Sequence, residues 1–155
     1  MSAQKLDDHD LAILRLLQED AARPQREIAE QVHLSAPAVQ RRIARLEKAG
    51  VIRRTVAVLD PSAVGFPITV IVEVTLRDDR SPTVAAAKAF FREAAEVQQC
   101  YWVAGVAGLI LVLLAPTTEA YEKRTAHLFG DNELVRSYRT IVVLDRVKTG
   151  MTVPI

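Results

Sequence analysis

The sequence predicts an α+β chain in two parts, three helices followed by a four-stranded sheet with two helices. Three observations predict it. Apolar residues recur at helical spacing as far as Gly50, and from Ile68 the spacing changes to strict alternation. Between these stretches, Asp60-Pro61-Ser62 and Gly65-Phe66-Pro67 punctuate the chain. The expected division is therefore 1–61, a helical domain ending in a linker strand, and 62–155, the sheet domain. A chain of 155 residues is long enough for two small domains.

The first helix is expected from Asp7 or Asp8, where acidic side chains suit a helix N-terminus. Leu11, Leu14 and Leu17 form its apolar stripe, widened by Ile13 and Leu16. A second helix begins near Pro24 and buries Ile28, Ala29 and Val32. His33-Leu34 makes a short turn. Ser35 is placed to cap a third helix with Pro37 in its first turn, and Gly50 supplies the left-handed stop after Ala49.

In the second part, Ile68, Val70, Val72, Val74 and Leu76 alternate with mostly polar residues, as in a strand. Residues 82–95 read as a helix. Residues 97–104 and 109–115 read as strands about a Gly105–Gly108 turn. Residues 117–128 read as a helix and 135–144 as the last strand. The order βαββαβ is that of a ferredoxin-like unit. Leu109 to Leu114 and Ile141 to Leu144 are apolar on both faces, so the face without helices needs cover. A second copy of the chain is the expected cover, because each exposed side chain of this size forfeits about 1.5–3 kcal/mol.

Net charge is only +1, yet it is unevenly spread. Positions 35–54 hold Arg41, Arg42, Arg45, Lys48, Arg53 and Arg54 against Glu47 alone, a local net of +5. On the third helix, Val39, Ile43 and Leu46 fall within about 60° of one another and face the core. The opposite side presents Pro37, Ala38, Arg41, Ala44, Arg45 and Lys48, with Gln40 on a flank. Small residues at its start, Ser35, Ala36, Pro37 and Ala38, allow close approach to a groove wall. Arg41 and Arg45 suit guanine and Gln40 suits adenine in a major groove. Two helices about a tight turn, the second one basic, make a helix-turn-helix, and double-stranded DNA is the expected partner. Arg42 lies off the core line, within reach of Glu27 or of a phosphate. Arg53 and Arg54 follow the stop and are expected on the DNA backbone.

Other classes find little support. His9, His33 and His127 lack metal-ligand spacing, and no glycine loop opens a helix to hold a phosphate. Catalysis, a metal and a cofactor are not expected. Cys100, the single cysteine, excludes an internal disulfide and reads as a buried structural thiol. The start MSAQKLDDHD is unlike a signal peptide, and Val103 to Ala115 is too short to span a bilayer. A cytoplasmic, nucleoid-associated protein is expected.

Taken together, LDDHDLAIL at 6–14, Arg23, EIAEQVHLSAPAVQRRIARLEKAGVI at 27–52, Asp60-Pro61 with Gly65, the Gly105 turn and VKTGMTVPI at 147–155 resemble the Lrp/AsnC (feast/famine) family of transcriptional regulators. The resemblance covers nearly the whole chain. It implies a winged helix-turn-helix joined to a ferredoxin-like, RAM-type effector and oligomerisation domain. It also implies dimers that assemble into octamers or other rings, and modulation by an amino acid or related small molecule. One departure stands out. The family commonly carries Thr-Gly-x-Tyr-Asp at the turn between the second and third strands, near the effector. Here that turn reads Ala104, Gly105, Val106, Ala107 and Gly108. The acidic partner for an ammonium group is gone, which leaves a more apolar ligand and no ligand as open alternatives. Weak response to common amino acids is expected, with a gain on Gly108→Asp.

Overall fold

A computed structural model describes residues 5–105 and 108–155. The chain divides into two compact units, 1–58 with 149–155, and 59–148.

The first unit holds α1 (Asp8–Glu19), α2 (Gln25–Gln31) and α3 (Ala36–Lys48). Asp7 caps α1 in a reciprocal box. Its carboxylate accepts from the Asp10 N–H at 2.8 Å, and the Asp10 carboxylate accepts from the Asp7 N–H at 3.2 Å. Ile13, Ile28, Ala29, Val32 and Val39 form a core cluster. The buried line of α1 is centred on Asp10, Ile13 and Leu14, one residue away from the leucine stripe that periodicity suggests. His33 turns the chain between α2 and α3 at φ +54°. Ser35 occupies the cap position of α3, but its hydroxyl makes no capping bond. The far end closes as the sequence predicts. Gly50 stands at φ +73°, its N–H bonds to the Glu47 carbonyl, and the Val51 N–H bonds to that of Leu46. Those paired bonds are a Schellman stop, and a Cβ at that φ would be strained.

Two features of this unit differ from expectation. Residues 51–67 form no strand, so the expected linker strand has no ladder partner among the described residues. An unpaired strand needs a neighbour to satisfy its backbone groups, and periodicity alone cannot supply one. Residues 149–155, expected with the sheet domain, instead lie along α1. Gln18 holds Val153 through two bonds, accepting from its N–H at 2.7 Å and donating to its carbonyl at 3.2 Å, and Arg15 Nε donates to the Ile155 backbone oxygen at 2.6 Å.

The second unit holds β1 (Ile68–Leu76), α4 (Ser81–Glu93), β2 (Val97–Trp102), β3 (Leu109–Ala115), α5 (Thr118–Thr125) with a π-helical turn (Ala126–Gly130), and β4 (Val135–Val142). The sheet order is β2-β3-β1-β4, with every pairing antiparallel. This is the expected ferredoxin-like arrangement. Val70, Val72, Val74, Leu109, Leu111 and Leu113 are buried against Ala87 and Phe91 of α4 and Tyr121, Leu128 and Phe129. Tyr121 and Thr140 share a hydroxyl–hydroxyl bond of 2.6 Å, which ties α5 to β4. Register assigns the other face. Ile71 pairs with Val112 and Ile141, and Glu73 pairs with Ile110 and Arg139. Ile71, Ile110, Val112 and Ile141 therefore form an apolar patch away from the helices, and Glu73 holds Arg139 at 2.6 Å beside it. Cys100 is half-buried rather than buried, and burial pushes its thiol up despite Arg92 and Lys88 nearby.

Candidate nucleic-acid interface

The outer side of α3 is set by its inner side. Val39 and Leu46 are fully buried and Ile43 packs on the same cluster, which turns Pro37, Gln40, Arg41, Ala44, Arg45 and Lys48 outward as exposed residues. Ala36 and Ala38 are half-buried at the start of the helix, and Ser35 is exposed beside them. Arg53 and Arg54 are exposed just beyond Gly50.

The arginines of α3 do not behave alike. Arg42 Nη1 donates to Asp7 at 2.7 Å and to Asp10 at 2.7 Å, and Arg45 Nη2 donates to both Asp10 oxygens at 2.6 Å. The Asp10 side chain is only 1% exposed, whereas those of Arg42 and Arg45 are 24% and 46% exposed. A carboxylate buried in the helical core is thus neutralised by two guanidinium groups from the neighbouring helix. Charge-assisted bonds of this kind fix geometry as well as energy, so the cluster pins α3 to the start of α1. Arg41 carries no such bond among the described residues and keeps its whole guanidinium free.

This division is invisible to sequence reasoning, which puts Arg45 on base edges together with Arg41. One terminal nitrogen of Arg45 is instead committed to Asp10. Arg42 pairs with Asp7 and Asp10, not with Glu27. The signal lies in Asp7 and Asp10, but an Asp-x-x-Asp spacing at a helix start reads as capping chemistry. Nothing local shows that the second carboxylate points into the bundle.

The ion cluster sets a pH dependence. Hydrogen bonding from the Asp10 backbone and then from Arg42 holds the Asp7 carboxyl below its ordinary value. Burial pushes the Asp10 carboxyl up, but bonds from Arg42, the Asp7 N–H and Arg45 outweigh it and the net shift is also downward. Carboxyls with lowered values stabilise the fold above their ordinary value of 3.8 and lose that contribution as pH falls through the folded values. Thermal melts taken from neutral pH downward should therefore hold steady and then fall below the ordinary carboxylate range. Asp10→Asn should start from a lower melting temperature and show a shallower fall. A variant that matched the parent slope would show that Asp10 has no part in the acid transition.

The turn after β2 is the second region singled out. Ala104 and Gly105 follow β2, and Gly105 has φ +148°; Val106 and Ala107 lie outside the described residues. Gly108 makes two backbone bonds, its N–H to Val74 and its carbonyl from Val103, each of 3.1 Å. A Cβ added at Gly108 would come within 3.1 Å of Trp102 Cζ3. The glycine therefore makes room for an indole. Gly108→Asp would need that ring to give by a few tenths of an ångström, so the gain expected from adding a carboxylate is set against the cost of shifting the indole.

Among the described residues no helix is long and apolar enough to cross a membrane, and no group of three His, Cys, Asp or Glu is placed to hold a metal ion.

Known proteins match this arrangement along its length. Residues 6–53 match a winged helix-turn-helix DNA-binding model, and residues 69–153 match the Lrp/AsnC ligand binding domain. An HTH-type transcriptional regulator of Sinorhizobium fredii is 40% identical over 153 residues, covering 99% of this chain and 90% of its own. The crystal structure of an AsnC family transcriptional regulator from Agrobacterium tumefaciens superposes with a TM-score of 0.90 at 30% identity, covering 96% of this chain and 97% of that one. A Neisseria meningitidis transcriptional regulator solved with L-Met gives a TM-score of 0.90 at 26% identity, covering 97% of both chains. The chain belongs to the Lrp/AsnC family. It is an HTH-type transcriptional regulator of that kind.

Proposed function

We propose that the protein reads operator DNA as a dimer, with Gln40 and Arg41 on base edges and Arg42 and Arg45 fixing the angle at which α3 enters the groove. The observation that carries this reading is the split among the α3 arginines, one free and two bonded to Asp10. Ser35, Ala36, Pro37 and Ala38 line the close approach at the N-terminus of α3. Arg53 and Arg54 neutralise backbone phosphates, which sets affinity and not sequence.

Dimers form through the helix-free face of the sheet and build into an octamer or another ring. An amino acid or related small molecule modulates the assembly near Ala104 to Gly108. The L-Met complex of the Neisseria meningitidis relative supports an effector of this class. The protein acts in the cytoplasm on nucleoid DNA, without a cofactor or catalytic step.

Arg41→Ala should weaken operator binding by about 1–3 kcal/mol and leave non-specific binding nearly unchanged. Arg53→Ala should weaken all sequences alike and lower the slope of log affinity against log salt by about 1. Fluorescence anisotropy on operator and scrambled duplexes over a salt series checks both. Equal losses on the two duplexes for Arg41→Ala would reject its place on a base edge.

A further inference from the structure

β2 is an edge strand, and α4 crosses its outer side before the chain turns back through a bond from the Val97 N–H to the Ala94 carbonyl. Cys100 and Trp102 pair with Leu111 and Leu109, which places both on the helix-bearing face. Lys88 and Arg92, one turn apart on α4, stand over that edge. The result is an open groove of about 340 Å³, with Phe91, Val97 and Cys100 as apolar wall and Lys88, Arg92 and Trp102 around it. Its volume lies at the lower end of the range for small-molecule sites, about 300–1,000 Å³.

The charges there are one-sided. Lys88 Nζ lies 5.0 Å from the centre of the Trp102 ring. Among the described residues neither Lys88 nor Arg92 has a carboxylate within salt-bridge distance, and no acidic side chain lines the groove. Trp102 rests on Gly108, where any larger residue would crowd it, and remains 42% exposed. An indole held in place and left partly uncovered offers a flat apolar surface beside two cations.

We propose that this groove binds a small aromatic carboxylate, its ring against Trp102 and its carboxylate between Lys88 and Arg92. Arg92 supplies the forked donor that matches a carboxylate, and Lys88 adds a point charge. The lack of an acidic wall defines the ligand further. An amino acid would bring an ammonium group with no partner in the groove, whereas an aryl or keto acid would not. The site is distinct in composition from one that recognises a zwitterion, and its occupancy is measurable without DNA.

Trp102 is the sole tryptophan, so the emission reports on the surroundings of that one side chain. Phenylacetate titrated into the full chain should quench or shift that emission saturably. Phenylacetamide and phenylalanine should each bind at least ten-fold more weakly. Arg92→Gln, at an exposed position, should keep its circular dichroism spectrum and lose at least ten-fold in phenylacetate affinity. An emission unaffected by phenylacetate, an equal response to the amide or to phenylalanine, or unchanged affinity in folded Arg92→Gln would overturn the proposal. So would an emission that follows protein concentration and not phenylacetate, which would mark the groove as a seat for a second copy.

Discussion

Replacing both Arg42 and Arg45 with Ala is expected to destabilise the helical unit by about 3 kcal/mol. That is the low end for stripping a buried charge of its partners, because Arg45 itself stands half in water. The Asp10 carboxylate would remain enclosed, 1% exposed, with only the Asp7 N–H to satisfy it. Denaturation followed by hydrogen exchange at α1 and α3 amides would localise the loss, since the two units need not unfold together. Arg41→Ala, on the same helix and with no such bond, should stay within about 0.5 kcal/mol of the parent. DNA affinity should fall in both proteins, for different reasons. The double variant loses the orientation of α3 and should weaken specific and non-specific complexes together, while Arg41→Ala loses selectivity. Unchanged stability in the double variant would show that Asp10 is solvated when unpaired, and the positioning role would go with it.

Ile141→Asp is expected to abolish the proposed dimer and lower operator affinity by about 10²–10⁴-fold, the gain that linking two half-site contacts supplies. The register places Ile141 beside Ile71 on the helix-free face, and its 40% exposure in the single chain leaves room for a partner. A charge there would be buried at the centre of an apolar contact. Val142, which alternation alone cannot tell apart from Ile141, makes the control. It closes β4 on the helix-bearing face and is 57% exposed, so Val142→Asp should remain folded and dimeric. Sedimentation velocity separates the outcomes. A dimeric Ile141→Asp protein would move the interface elsewhere.

Much of this architecture is legible in the residues themselves. Alternation in β1 and the apolar run of β3 locate two strands to their ends, because a two-residue period admits one set of inward positions. The Gly50 stop and the Val39, Ile43 and Leu46 line locate α3 and, by subtraction, its outer side. What cannot be read is long-range. The Asp10 cluster joins residues 32 and 35 positions apart, the Gln18–Val153 pairing joins residues 135 apart, and neither leaves a local pattern. Periodicity carries β4 too far for a related reason. Val143 and Leu144 continue the apolar run, and the Val143 N–H still bonds to the Thr69 carbonyl, but the ladder with β1 ends at the Val70–Val142 pair and the strand stops there. The reason for Gly108 is hidden in the same way, because it lies in Trp102, six residues back and folded over it.

Whether α3 reads sequence as one of two copies is tested most directly by selecting bound duplexes from a random DNA pool with the purified protein. An inverted repeat should be enriched, its half-sites about 10–10.5 base pairs apart, or a multiple of that, centre to centre. Arg41→Ala should then enrich a motif relaxed at one position in each half. A pool that stays random after repeated rounds, or a motif without symmetry that Arg41→Ala leaves unchanged, would contradict a dimeric reader built on α3.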